Sequence, residues 1–439
     1  MNYNGGMKMK REESRARSGI SKHGALMLLC WLVYTCSVIG KINYAANIIQ
    51  VEQFFGVTHA QAGIVSTFYF FAYGGAQIFN GVFCKKYNLK YVIFGSLIIS
   101  GAINLTVGLI TNFAVIKYLW LVNGFSLSVL WPCLVRLLSE TLPREKMSKA
   151  STVMSTTTAT GTLLVYGVSA LFVALGVFRF AFYLAAVILP MVGCFWLIFY
   201  NKLTKKDETE EVESAISVQS MQTNNAQPTE NQKPKGLLSY VVMLALFAVA
   251  TNLVKDGLNT WVPSILKENY GLTDSLSILL TLILPMVAIC GNILAQKIYK
   301  KLPDFVVVCC CVFFGSGLCL CGVIFFLHTD LFVVTLLLFA CISCFTAGSN
   351  SNITSLFPLY MKGKANSGML AGVLNGCCYI GSTISSYGLG FVADKWGWNT
   401  VFYLLLSVCG GILLIGIAYS VIRKLCLQRS EKANTDLNK

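Results

Sequence analysis

The chain has 439 residues, of which 55% are hydrophobic and only 12% charged, with a mean hydropathy of +0.66. A soluble domain of this size needs more charge on its surface, so the composition excludes an ordinary water-soluble protein. The net charge of +15 invites a nucleic-acid reading, but the placement of that charge along the chain speaks against one. About twelve apolar stretches are long enough to span a bilayer, at roughly 20 residues each. They run over 25–49, 62–83, 91–111, 114–138, 150–174, 180–200, 237–262, 275–296, 304–327, 331–357, 366–392 and 399–422. The first is too long for a signal-peptide core and lacks a small-residue cleavage site after it, so it reads as a retained helix.

Between 201 and 236 the composition shifts. Lys205, Lys206, Asp207, Glu208, Glu210, Glu211 and Glu213 lead into a stretch rich in Ser, Gln, Asn and Pro. This is a polar linker with too few apolar residues to pack on its own. It divides the chain into a basic tail (1–23), a first six-helix bundle (24–200), the linker (201–236), a second six-helix bundle (237–424) and a C-terminal tail (425–439). The halves resemble each other. Phe55-Gly56-Val57-Thr58 follows the first apolar stretch, as Tyr270-Gly271-Leu272-Thr273 follows the seventh. Gly161 precedes Phe182-Tyr183-Leu184 by the same interval as Gly381 precedes Phe402-Tyr403-Leu404. Parallel repeats of this kind flank a binding site near the membrane midplane in many secondary transporters.

The basic residues cluster in alternate loops. Lys8, Lys10, Arg11, Arg15, Arg17 and Lys22, then Lys85, Lys86 and Lys90, then Arg144, Lys146 and Lys149, and further sets around 202–235, 297–301, 362–364 and the C-terminal tail fall on one side. Only Lys117, Arg179, Lys267 and Lys395 fall in the opposite loops. This is the positive-inside pattern, and it predicts both termini in the cytoplasm of a multi-pass protein of the cytoplasmic (inner) membrane. Its surroundings are then membrane lipid, with no nucleic-acid partner, and a monomer is expected. The 17 cysteines fall mostly within apolar stretches, where cysteine behaves as a small apolar residue. Cys341 and Cys344 form a C-x-x-C without accompanying histidines, and His23, His59 and His328 lie far apart in sequence. No metal site or cofactor is expected. No nucleophile–base pair or phosphate-cradling loop points to an enzyme.

Two ionisable residues stand deep in apolar stretches at matching places in the two halves: Lys41 and Lys255. A charge at membrane depth costs about 2.5–3.5 kcal/mol on insertion scales and marks a functional site by default. Lys41 is roughly 12 Å from the outer end of its helix, too deep for its stem to reach the surface without a water-filled path. Asp256 is the carboxylate within reach of Lys255, and it either holds that lysine or exchanges protons. Neighbouring helix residues point about 100° apart, so adjacency alone does not neutralise Lys255. Asn43, Tyr44, Asn47, Tyr69, Tyr73, Asn259, Asn350, Asn352, Asn375, Tyr379 and Ser155-Thr156-Thr157-Thr158 are further polar groups at depth, about half of them expected to face a cavity. Gly372, Gly376, Gly381, Ser385, Gly388 and Gly390 form a small-residue stripe suited to close helix packing or to a rocking contact. Arg136 reads equally as an interfacial anchor or a substrate contact. Asp394-Lys395-Trp396-Gly397-Trp398 reads as an interfacial turn without chemistry.

These features resemble the major facilitator superfamily, and within it most closely the organophosphate:phosphate antiporter family, from the first helix to the twelfth. Four stretches carry the resemblance: Lys41-Ile42-Asn43-Tyr44-Ala45; Asn80-Gly81-Val82 with Asn88; Asn123-Gly124 with Trp131-Pro132 and Arg136; and Lys255-Asp256-Gly257 with Trp261-Val262-Pro263. Members exchange glycerol 3-phosphate or hexose phosphates for inorganic phosphate. The resemblance implies an all-α membrane fold of twelve transmembrane helices in two six-helix bundles. Lysine stands at 41 and 255 where the family carries arginine, which keeps the charge and loses the planar fork. Thr158 stands where a fifth-helix histidine is expected, and Lys85 where a loop carboxylate is usual.

The expected function is secondary transport of a small organic anion, a phosphate ester or a carboxylate, by alternating access and as an exchanger. Lys41, Lys255, Tyr44, Tyr73, Thr158, Asn259, Asn375 and Tyr379 are the candidate substrate-binding residues, and Asp256 is the coupling candidate. Two like charges facing one cavity oppose closure around nothing, which makes reorientation depend on substrate. A proton- or sodium-coupled symporter using Asp256 is one alternative. A membrane sensor of an extracellular sugar phosphate is the other.

Overall fold

The computed structural model describes residues 22–83, 86–204, 237–361 and 367–437. Lys85, the linker from 205 to 236 and most of the N-terminal tail lie outside the described residues. The regular structure among the described residues is helical throughout. The first half holds α1 (Lys22–Ala46), α2 (Ile48–Phe55), α3 (His59–Phe83), α4 (Leu89–Leu109), α5 (Phe113–Leu127), α6 (Leu130–Thr141), α7 (Arg144–Ser155), α8 (Thr157–Ala174) and α9 (Phe180–Thr204). The second holds α10 (Leu237–Tyr270), α11 (Asp274–Leu280), α12 (Ile283–Lys301), α13 (Phe305–Phe326), α14 (Phe332–Ser351), a π-helical turn (Asn352–Leu356), α15 (Phe357–Tyr360) and α16 (Ser367–Leu437).

Long apolar runs form helices here because lipid offers no partner for backbone N–H and C=O groups, so each segment must satisfy its own. Ten stretches among the described residues are long and apolar enough to cross a membrane. The last of them, Met369–Cys426, is 58 residues long and folds back at Gly397, whose φ of 77° a side chain would resist.

Several stretches that read as single helices are broken. The break between α5 and α6 falls at Ser128-Val129, that between α7 and α8 at Thr156, and that between α11 and α12 at Thr281-Leu282. Each carries a hydroxyl that bonds back along the chain: Ser128 to the Phe125 carbonyl (2.7 Å), Thr156 to Val153 (2.8 Å) and Thr281 to Ser277 (2.8 Å). Such bonds satisfy each hydroxyl within its own chain, which makes it tolerable at membrane depth.

Two apolar cores form, one drawn mainly from α1–α9 and one mainly from α10–α16. The sequence repeats occupy equivalent places in them. Gly56 and Gly271 both close their helices in the left-handed region, with φ of 63° and 64°. Gly161 packs against α1, where a Cβ would lie 2.6 Å from Val38, and Gly381 packs against α10, where one would lie 2.0 Å from the Val249 carbonyl oxygen. Phe182 and Phe402 are both buried.

The halves interlock at the end remote from Thr204 and Leu237. Ile48 and Ile49 of α2 join the second core, and Ile278 of α11 joins the first. Along the same interface α3 lies against α16: a Cβ at Gly63 would come within 2.1 Å of the Ser386 carbonyl oxygen, and one at Gly74 within 2.5 Å of Tyr379. The glycine stripe of α16 is split between partners, Gly376 meeting Ile78 of α3 and Gly381 meeting α10, while a Cβ at Gly372 would meet nothing within 4 Å among the described residues.

Candidate functional site

A cavity of about 470 Å³ lies between the halves, lined from both. Lys41, Tyr73 and Thr158 enter it from the first half, and Lys255, Asp256, Asn259, Asn375 and Tyr379 from the second. The two lysines therefore share one chamber.

Lys41 is placed by its own backbone. The carbonyl of the preceding Gly40 accepts from Asn104 Nδ2 (3.1 Å) and Asn123 Nδ2 (2.9 Å), which pins this turn of α1 to α4 and α5. The absence of a side chain at Gly40 permits the approach, since a Cβ there would lie 2.6 Å from Leu189. The Lys41 ammonium then sits over two rings, 5.4 Å from the centre of Tyr34 and 5.6 Å from that of Tyr73. Tyrosine faces attract a cation. No carboxylate pairs with Lys41 among the described residues.

Lys255 differs. Its ammonium lies 3.3 Å from Asp256 Oδ1, so adjacent residues of α10 do pair, both reaching into the cavity. Asp256 Oδ2 also accepts from the Ser382 hydroxyl of α16, whose oxygen accepts from Asn252 Nδ2 at 3.3 Å. The three charged side chains of the lining sum to one positive charge, with Lys41 carrying it.

The rest of the wall is aromatic on one side and polar on the other. Tyr73 lies 5.6 Å from Tyr69 and 4.9 Å from Tyr379, ring centre to ring centre. The Tyr69 hydroxyl is buried without a hydrogen-bond partner among the described residues, and its ring lines the cavity. From the second half come Asn252, Asn259, Asn292, Asn350 and Asn375 with several hydroxyls. Two bonds cross between halves here: Tyr166 OH donates to the Asn259 carbonyl (2.8 Å), and Asn375 Nδ2 donates to Gln77 Oε1 (2.8 Å).

Tyr44 stands apart from the other candidates. It does not line the cavity; its ring is fully buried 5.5 Å from Trp120, and its hydroxyl donates to the Ala62 carbonyl at 2.9 Å. Asn43, Asn47 and Asn352 are also spent on packing, bonding to Asn104, Ser169 and the Phe305 carbonyl respectively. Tyr69, Asn350 and Ser155 do face the cavity. Arg136 is held by Glu140 at 2.7 Å outside it. Asn252 and Asn292 were not singled out by the sequence. Their one available signal is an amide in an apolar run, which Asn43 and Asn352 share without reaching the cavity.

The superfamily model described as Major Facilitator Superfamily matches residues 30–386. Among curated proteins the chain is similar to glucose-6-phosphate exchanger SLC37A2 of Xenopus laevis, at 22% identity over 83% of this chain and 81% of the relative. It is similar to a probable hexose phosphate transport protein of Chlamydia pneumoniae, at 24% identity over 82% of each. Among solved structures it overlays a bacterial homolog of the human lysosomal transporter Spinster, crystallised in an inward-facing and occupied conformation. The TM-score is 0.65 at 14% identity, covering 92% of this chain and 95% of the other.

Proposed function

The chain belongs to the major facilitator superfamily, and on that basis we propose that it moves a small organic anion, a phosphate ester, across the membrane by alternating access and in exchange for another anion. It is not an enzyme, and it is an integral, multi-pass membrane protein. The observation that carries the proposal is the Lys41 ammonium, unmatched by a carboxylate among the described residues, in a chamber walled by both halves. Lys41 is the anchor for the anion. Lys255 contributes a charge tempered by Asp256, and the asparagines and hydroxyls of the second half offer donors and acceptors to a hydroxylated body. Tyr73, Tyr379, Thr158, Asn259 and Asn375 complete the wall. The glucose-6-phosphate exchanger and the probable hexose phosphate transport protein among the relatives support a phosphate ester over a carboxylate.

The topology proposed is twelve spans with both termini in the cytoplasm of the cytoplasmic membrane. Adding α3 to the ten apolar stretches, and counting the stretch that folds back at Gly397 as two, makes twelve. The interlocked end is then the outer face. Exchange follows from Lys41: closing the empty cavity would strand one ammonium away from water, whereas an anion accompanies it. Asp256, already bonded to Lys255 and Ser382, is a holder of that lysine rather than a coupling group.

The test is uptake of labelled glucose 6-phosphate into vesicles loaded with inorganic phosphate. Uptake is expected to need internal anion and, at a fixed external pH, to need no proton or sodium gradient. Uptake that collapses with such a gradient would establish symport, and binding without any accumulation would establish a receptor. In either case the exchange reading fails.

A further inference from the structure

A second ionisable cluster lies outside the cavity, at the interlocked end. Glu52 of α2 and His59, which opens α3 ahead of its apolar run, come from the first half. Glu268, near the end of α10, and Asp394, beside the fold-back of α16, come from the second. His59 Nδ1 lies 2.9 Å from Glu52 Oε1, and His59 Nε2 lies 3.1 Å from Glu268 Oε1. Both contacts are hydrogen bonds only if both ring nitrogens donate, as in imidazolium, or if one carboxyl supplies the missing hydrogen. Either arrangement holds one proton more than a neutral imidazole between two carboxylates.

The surroundings fix this geometry from the second half. Asp394 accepts from the backbone N–H of His59 (3.1 Å) and Ala60 (2.8 Å), capping the start of α3 from across the interface. Trp398 Nε1 donates to Glu268 Oε2 at 2.8 Å, and the His59 ring lies 5.4 Å from Trp261 and 5.3 Å from Trp398. The nearby cations are otherwise engaged. Lys267 pairs with Asp274 at 2.9 Å, which also accepts from Gln50, and Lys395 lies over the Phe391 and Trp396 rings. His59 is thus the cation among three carboxylates, two of them on the other half.

We propose that Glu52, His59 and Glu268 form a proton-binding site that fills when this face closes and empties when it opens. The proposal rests on the alternating-access reading above, under which the halves part at this end. Parting removes Glu268, Asp394 and both tryptophans from His59 and leaves it Glu52 alone. In the closed face burial pulls His59 down, but hydrogen bonds to Glu268 and Glu52 and their charges outweigh it and hold the imidazole at about 10. Glu52 moves the same way: burial pushes it up, with Glu268 and Asp394 adding, against the pull of His59. An ordinary histidine titrates near 6.5. The closed face therefore binds the proton more tightly, acid favours closure and alkali favours opening. Where the closed face holds the proton and the open face has lost it, one proton per closure raises the open-to-closed ratio by at most about tenfold per pH unit.

The experiment measures distances by double electron–electron resonance between spin labels placed by genetically encoded, non-cysteine chemistry at Gln53 and Lys395 of the purified full chain. The wild type is expected to shift towards the long-distance population from pH 6.5 to pH 8.5. His59→Gln is expected to give the same distribution at both, and Glu268→Gln a weakened response. A wild type that does not respond, or a His59→Gln variant that responds as the wild type does, would overturn the proposal. Vesicle uptake on the same proteins separates the two readings. Opening with pH but no anion uptake removes the transport reading and leaves the proton site, whereas uptake with a pH-insensitive face removes only the proton site.

Discussion

The Lys255 ammonium lies 3.3 Å from the carboxylate of Asp256, the next residue of the same helix. This pair changes what each member is worth to an anion in the cavity. Lys255→Ala leaves Asp256 as an uncompensated negative group facing the substrate, so it is expected to weaken anion binding strongly. Asp256→Asn frees the lysine and is expected to leave binding unchanged or tighter. The double substitution Lys255→Ala with Asp256→Asn is expected to bind better than Lys255→Ala alone, with a coupling energy of about 0.5–3 kcal/mol. Titration of the four proteins with glucose 6-phosphate by calorimetry measures it. Strictly additive effects would show that the pair does not act as a unit.

Lys41 has no such partner among the described residues, so its substitution is expected to be simpler. Losing a charged hydrogen-bond partner costs about 1.5–3 kcal/mol, which is roughly a 10- to 150-fold loss of affinity. Lys41→Ala is expected to lose that much, measured as the shift in half-saturating ligand in a thermal-melt titration. Lys41→Arg is expected to retain binding, because the Tyr34 and Tyr73 faces that hold the ammonium also stack against guanidinium. Equal loss in both variants would point to packing rather than charge.

The halves, the two deep lysines and the repeat glycines were legible in the sequence because each is a departure from an apolar background. Gly161 and Gly381 are found at helix crossings, as small residues at depth should be. Partner choice was not legible. Asn43 and Asn375 are the same residue type at similar depth, yet Asn43 bonds Asn104 within its own half and Asn375 bonds Gln77 across the cavity wall. Which face an amide presents depends on helix rotation, and the apolar run around it is too uniform to set one. The sequence 394–398 read as an inert interfacial turn for a related reason. Its role lies in Asp394 and Trp398 reaching residues more than a hundred positions away.

Gly63 tests the closed face directly. A Cβ at this position would lie 2.1 Å from the Ser386 carbonyl oxygen and 2.9 Å from its carbon, both backbone atoms of the opposite half. Overpacking of this kind costs about 1–3 kcal/mol. Within one half Gly63 has no such conflict, so Gly63→Ala is expected to penalise the closed outer face and leave each half folded. The open-to-closed ratio should rise roughly 5- to 150-fold, read from the same spin-label distances with the melting temperature as a control. A lower melting temperature with an unchanged ratio would mean that the contact serves folding alone.

Tyr69 carries a hydroxyl that is buried without a partner among the described residues, beside the cavity that its ring lines. An unmade hydrogen bond in such a place costs about 1–3 kcal/mol. Tyr69→Phe removes the donor and its cost while keeping the ring that stacks on Tyr73. The ligand-free variant is therefore expected to be as stable as the wild type or more so. If the hydroxyl's partner is the transported anion, the variant should also bind it more weakly, by about 0.5–1.5 kcal/mol or roughly 2- to 12-fold. Melting temperatures with and without ligand measure both effects in one experiment. A variant that is less stable without ligand and binds as before would assign the hydroxyl to the fold instead.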